Sequence, residues 1–169
     1  MIPYNSYGIY LLLQHINIFK ENRSAKFMFD PHCHTRNLDS EHENIAHYLA
    51  VADACGMDAV AIMPNTSPAI TNYDEARKHI DAADSTGSRV KLYVHMGLSS
   101  NPQQIKGAVD AFNSDERICG MKAYWGRSTG DLSIVDLEDQ RRTIKTLAEC
   151  GYAGVLVSHC EKESKMDDS

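Results

Sequence analysis

From about Lys26 onward the chain alternates two textures. Short runs rich in Val, Ile, Met, Phe and Tyr are KFMFDPH (26–32), DAVAIMP (58–64), RVKLYVHMG (89–97), ICGMKAYWG (118–126) and AGVLVSHC (153–160). Longer polar-amphipathic stretches separate them: SEHENIAHYLAVADACG, NYDEARKHIDAADSTG, NPQQIKGAVDAFNS and VDLEDQRRTIKTLAECG. Strands alternating with helices of this length predict βαβ units and a parallel sheet. The reading is five strands and four helices in strict alternation.

Local chemistry marks the helix ends. Ser40 and Glu43 form a capping box, each side chain able to satisfy an orphan amide of the first turn. Asn101 precedes Pro102, an N-cap followed by a residue whose missing N–H is harmless at the first helical position. Gly56, Gly87 and Gly151 stand where a left-handed residue closes a helix. The strands recur at roughly 30 residues, the size of one βα module. Five such modules would complete a doubly wound sheet but not a (β/α)8 barrel, which typically needs about 250 residues. Rhythm alone leaves both architectures open.

Composition narrows the function classes. The 169 residues are 43% hydrophobic and 24% charged, as in ordinary globular proteins. A net charge of −6 without any basic stripe argues against a nucleic-acid partner or an anionic membrane surface. The cysteines number five, are widely spread and include no CxxC, so neither a disulfide framework nor a zinc finger is expected. A reducing cytoplasmic location fits that usage. The apolar stretch YGIYLLLQHINIF is short and interrupted by Gln14, His15 and Asn17, so neither a membrane span nor a signal peptide is expected. Residues 1–25 are therefore set apart as an N-terminal extension of unclear role, and 26–169 as the folded unit.

The densest chemistry lies in DPHCHTR (30–36). In a strand His32 and His34 project together while Cys33 points away, and two imidazoles so placed can bind one divalent ion. Asp30, on the same alternation, could orient a ligand. A pair of buried, hydrogen-bonded histidines would give the same letters. Strand five ends in SHCE, with His159 and Glu161 on one face, and strand four carries Lys122 at a similar depth. A lysine on an interior strand surface is costly as an ammonium, although one that snorkels to solvent is not. All of these fall toward the C-terminal ends of strands, where α/β folds place active sites. His42, His47 and His79 lie in the amphipathic stretches and are expected to be solvated or half-buried. His95, ending strand three, is expected to be core or rim packing, and Tyr124 a packing neighbour of Lys122.

In order, DPHCHTR, MPNTSP, GMKAYWG and VSHCE resemble the dihydroorotases of the amidohydrolase superfamily, over nearly everything from Lys26 to Glu161. HxH alone is a superfamily feature, whereas HxHxR together with MPNxxP is far more specific. The resemblance implies a partial TIM (β/α)8 barrel and a metal-dependent hydrolase, with His32 and His34 as ligands of a buried ion. Lys122 is implied as a carbamylated bridge to a second ion, and His159 as a ligand of that ion. Two Zn2+ ions would be the cofactors. Arg36 and Asn65 are implied as the pair that holds the substrate carboxylate; Arg36 lies two residues beyond His34 on the same face, and a guanidinium forks onto a carboxylate. A surface arginine and a turn asparagine would look the same in isolation.

The implied reaction is the interconversion of (S)-dihydroorotate and N-carbamoyl-L-aspartate in de novo pyrimidine biosynthesis. The family also uses a histidine on strand six and an aspartate on strand eight. The sequence ends in EKESKMDDS beyond strand five, and Asp167 and Asp168 in that charged tail are not substitutes. The expectation is an incomplete barrel, inactive by itself, with a homodimer left open as a way to cover its bare side. Alternatives are a dihydropyrimidinase- or allantoinase-type cyclic amidohydrolase, and a non-catalytic homologue acting as a structural or partner-binding module.

Overall fold

The computed structural model describes residues 27–36, 44–128 and 132–161. The N-terminal extension, the Ser40–Glu43 capping box, His42, Asp167 and Asp168 lie outside the described residues. The described elements run β1 (Phe29–Cys33), α1 (Ile45–Ala54), β2 (Ala59–Ile62), α2 (Tyr73–Ser85), β3 (Lys91–Gly97), α3 (Pro102–Ser114), β4 (Ile118–Tyr124), α4 (Leu137–Glu149) and β5 (Val155–His159). All strand pairs are parallel and the sheet order β1-β2-β3-β4-β5 copies the chain order. This is half of a TIM-type barrel: five parallel strands with four helices on one face. The same apolar runs that alternate with the amphipathic stretches form its staves, and consecutive helices lie side by side over them.

The N-caps do what their side chains dictate. Asn72, Asn101 and Asp136 each accept a backbone N–H of the first turn, and Pro102 opens α3. Gly56, Gly87 and Gly151 take φ of 78°, 69° and 70°, the left-handed closure expected of them. The helix α1 begins at Ile45 with Asn44 as cap, its Oδ1 accepting from the His47 amide at 2.8 Å. Asparagine is as good a cap as serine and lies nearer the apolar run.

Two cores divide the sheet. Outward residues such as Val60, Ile62, Leu92, Val94, Met96 and Met121 pack with Leu49, Ile80, Ile105 and Phe112 of the helices. On the concave side Ala59, Ala61, Tyr93 and Cys119 form a smaller cluster with Phe29 and Val155. The strand β2 is buried throughout, since both of its faces are covered.

Two irregularities in the ladder decide which side chains face the concave side. Between β1 and β2 the register runs Asp30↔Val60 and then Cys33↔Ile62, so β1 carries an extra residue around Pro31, which has no N–H to give the ladder. Between β3 and β4 it runs Val94↔Ile118 and then His95↔Gly120, a second bulge that turns Met121 outward with Ile118 and leaves Lys122 and Tyr124 on the other face. Glycine is required at 120: a Cβ there would lie 2.8 Å from the Val155 carbonyl oxygen and 3.2 Å from His95 Nδ1. Gly120→Ala is expected to destabilise the fold by about 1–3 kcal/mol through overpacking. A urea midpoint equal to that of the wild type would contradict this reading of the bulge.

Candidate functional site

Beyond the Pro31 bulge, β1 alternates cleanly. Cys33 and Thr35 are buried, while His32, His34 and Arg36 are exposed on the opposite side. The His32 and His34 rings lie 5.3 Å apart, centroid to centroid. His34 Nδ1 is 2.8 Å from Asn65 Oδ1. An amide oxygen only accepts, so the ring donates through Nδ1–H, and its Nε2 carries the lone pair that a metal would use. Burial lowers the pKa of both rings; Lys122 adds to the effect at His32, and at His34 the Asn65 bond opposes it. Both imidazoles are thereby biased toward the neutral, ligating form.

Asp30 acts by a different route from the one expected. The bulge puts its carboxylate on the α1 side, where Oδ2 accepts from the Tyr48 hydroxyl at 3.2 Å. Its Oδ1 accepts from the His32 backbone amide at 3.0 Å, so Asp30 steadies His32 through the main chain rather than through the ring. Cys33 shares that side, its Sγ 3.3 Å from the Ala61 carbonyl oxygen.

Lys122 is 2% exposed, and among the described residues no hydrogen bond or ion pair reaches its Nζ. The amine stands 4.9 Å from the centroid of the Tyr124 ring. Burial lowers its pKa. Tyr124 is itself 3% exposed, and its hydroxyl has no partner among the described residues. Burial pushes that phenol up to about 12, with Arg36 close enough to oppose the shift.

At the end of β5 the His159 ring lies 5.8 Å from that of Tyr124, and its Nε2 is 3.1 Å from Glu161 Oε2. His159 is also near enough to His32 to affect its charge. Ser158 and Cys160 point the other way, into a groove of about 660 Å3 shared with Trp125, Ile144 and Leu156. That groove runs between α4 and the outer face of β5, away from the histidines.

The residues singled out from the sequence thus lie along one rim, at the C-terminal ends of β1, β2, β4 and β5. No three His, Cys, Asp or Glu side chains among the described residues converge closely enough to hold one ion. The donor set still fits a divalent ion: two neutral imidazoles from β1, with a buried amine facing them that is otherwise unpartnered. A third ligand would be Lys122, made anionic, or a donor outside the described residues.

Other histidines were harder to read. His47 is exposed, as expected. His79 is 2% exposed rather than solvated or half-buried. It lies on the α2 face shared by Ala76, Ile80 and Ala83, and its Nδ1 is satisfied by the Glu75 carbonyl one turn back, at 2.9 Å. His95 is fully buried, and its Nε2 reaches the Pro31 carbonyl oxygen at 3.2 Å.

No family model matches the chain. Solved structures of similar fold include the L-hydantoinase (dihydropyrimidinase) of Arthrobacter aurescens, 20% identical with a TM-score of 0.62. The match covers 81% of this chain and 30% of that one. The dihydroorotase of Saccharomyces cerevisiae, in complex with 5-fluoroorotic acid, is 23% identical with a TM-score of 0.62, over 85% of this chain and 38% of that one. The dihydroorotase of Campylobacter jejuni is 18% identical with a TM-score of 0.56, over 85% and 43%. The chain spans less than half the length of each of these proteins. At such identities the likeness is one of fold. No helix among the described residues is long and apolar enough to cross a membrane.

Proposed function

We propose that the chain contributes part of the active site of a metal-dependent hydrolase of cyclic amides, with (S)-dihydroorotate as the substrate that is opened reversibly to N-carbamoyl-L-aspartate. The observation that carries this reading is a buried lysine side chain, its amine without a polar partner among the described residues, near paired imidazoles at the C-terminal rim of a parallel half-barrel. The kinship of fold with two dihydroorotases and a hydantoinase supports the same chemistry.

In this reading His32 and His34 would hold one Zn2+, and His159 would hold a second. Lys122 would serve as a further ligand once carbamylated: its neutral amine would add to CO2, one N–H proton would leave, and an anionic oxygen donor would result. Burial lowers the pKa of the amine, outweighing the opposing influence of Cys160, and so favours the nucleophilic form for that addition. When bound, the ions supply Lewis acidity and bring the pKa of water near 7. Arg36 forks onto the substrate carboxylate. Asn65 accepts from His34 through Oδ1 and would turn its Nδ2–H donors toward the same carboxylate. Together they would hold and orient the substrate ring, a positional contribution.

The test is binding by the full chain. Co2+ in bicarbonate buffer is expected to bind the wild type and to give ligand-field absorption. Dihydroorotate is then expected to bind the loaded chain, and Arg36→Met to weaken that binding roughly tenfold or more, the worth of a charged hydrogen bond. Dihydrouracil, which lacks the carboxylate, should be insensitive to the substitution. Absence of Co2+ binding would remove the hydrolase reading. Equal effects on both ligands would favour the second reading, a dihydropyrimidinase-type enzyme, which the hydantoinase likeness at an equal TM-score of 0.62 makes specific.

A further inference from the structure

The Pro31 bulge is held from three directions, and one of them crosses the barrel. Asp30 takes the His32 amide, and Tyr48 takes Asp30. The Pro31 carbonyl, at the register shift, accepts from His95 Nε2 at 3.2 Å, although His95 belongs to β3, two strands away in the sheet order. A carbonyl cannot donate, so the bond requires the Nε2–H form of the ring. The seat for that ring is built. His95 is fully buried and lies against the bare Cα of Gly120, and Cys119 Sγ stands 3.7 Å from its Nε2 and 3.9 Å from its Nδ1.

We propose that His95 is a positioning residue for the divalent-ion site: by donating to the Pro31 carbonyl it fixes the bulged peptide that sets the direction of His32 and, two residues on, His34. This rests on the metal-site reading above and names a residue for it that touches neither ion nor substrate. A histidine serving only as core filler would have no need of a bond that reaches past β2 to a carbonyl of the bulge. With the link gone, the bulge can shift, and a shift of one residue moves both imidazoles off the concave face. Partners that orient metal-ligating histidines are worth about 10–100-fold in affinity.

The experiment compares Co2+ binding by the full-length wild type, His95→Phe, which keeps a ring without a donor, and His95→Gln, whose Nε2 stands near the position of the lost one. Affinity and ligand-field spectrum are read together, with urea unfolding of the apo chains as a control on folding. The expected result is at least tenfold weaker binding and a changed spectrum for His95→Phe, with most of both restored in His95→Gln. Wild-type-like binding by a folded His95→Phe would overturn the positioning role and leave the metal site standing. Failure of the wild type to bind would instead overturn the metal site, and this role with it. A readout independent of metal is the tautomer of His95 in the apo chain, from nitrogen-15 spectra of labelled histidine. A slowly exchanging Nε2–H is expected, and a proton on Nδ1 would overturn the proposal even if His95→Phe does not fold.

Discussion

Replacing Lys122 with methionine is expected to make the metal-free chain more stable while abolishing the Co2+ binding that the proposed site predicts. The Lys122 side chain is 2% exposed overall and its amine has no hydrogen bond among the described residues, so folding strips away much of its water with little return. Methionine fills a similar volume without that penalty, and the gain should be about 1–3 kcal/mol, the scale of an unsatisfied buried polar group. The pH dependence carries a definite sign. Burial lowers the pKa of Lys122, so the unfolded chain binds the proton more tightly and the native state is penalised at neutral pH. The penalty fades as pH rises through the folded pKa toward the ordinary value of 10.5, and the advantage of the variant should shrink over that window. Urea unfolding of both chains at pH 7 and pH 10, beside Co2+ titration, checks both halves. A destabilised variant would mean that the amine has a partner and is structural. A stabilised variant with unchanged Co2+ affinity would mean that the lysine is no ligand.

Acidification should unfold the chain mainly through its interior histidines. Burial depresses the pKa of His95 from 6.5 to about 4, with His32 and Lys122 acting in the same direction and the Pro31 bond against it. The unfolded ring takes up a proton below about 6.5 and the folded ring does not until about 4. The stabilisation is therefore complete above pH 6.5 and is lost as pH falls through that interval, by about 3 kcal/mol at its lower end. His79, also depressed by burial, adds to the same loss. The check is the free energy of unfolding at pH 7.5 and 4.5 for the wild type and His95→Gln, whose amide does not titrate. The steeper fall belongs to the wild type; parallel curves would show that His95 does not account for the loss.

The modular fold was legible because each module repeats its own signals. Apolar runs such as DAVAIMP and left-handed glycines such as Gly87 carry their meaning within a few residues, and the structure follows them closely. The shared face of His32, His34 and Arg36 was legible to the same degree, since their spacing predicts it and they stand on it. What strict alternation could not convey was phase across a bulge. Counting by twos puts Asp30 with His32, yet the extra residue at Pro31 sends the carboxylate toward Tyr48. Counting by twos also misses the slip at Cys119 and Gly120, which depends on the neighbouring strand and on the ring of His95. His79 was misjudged for a related reason: a polar side chain on an otherwise apolar helix face can be satisfied by its own backbone. Proline at 31 and glycine at 120 were the only local hints, and each is also at home in an ordinary turn.

The sheet order that copies the chain order also bears on how the molecule comes together. Each strand pairs with one about 30 residues earlier, so every step closes a loop of one module and adds to an edge already made. Assembly can advance like a zipper from β1, with short-range contacts rewarding each step before the next begins. The residues of the rim obey a different schedule: the histidines of β1 meet Lys122 only when the fourth stave is laid down, so a metal ion would arrive after most of the scaffold and consolidate it rather than seed it.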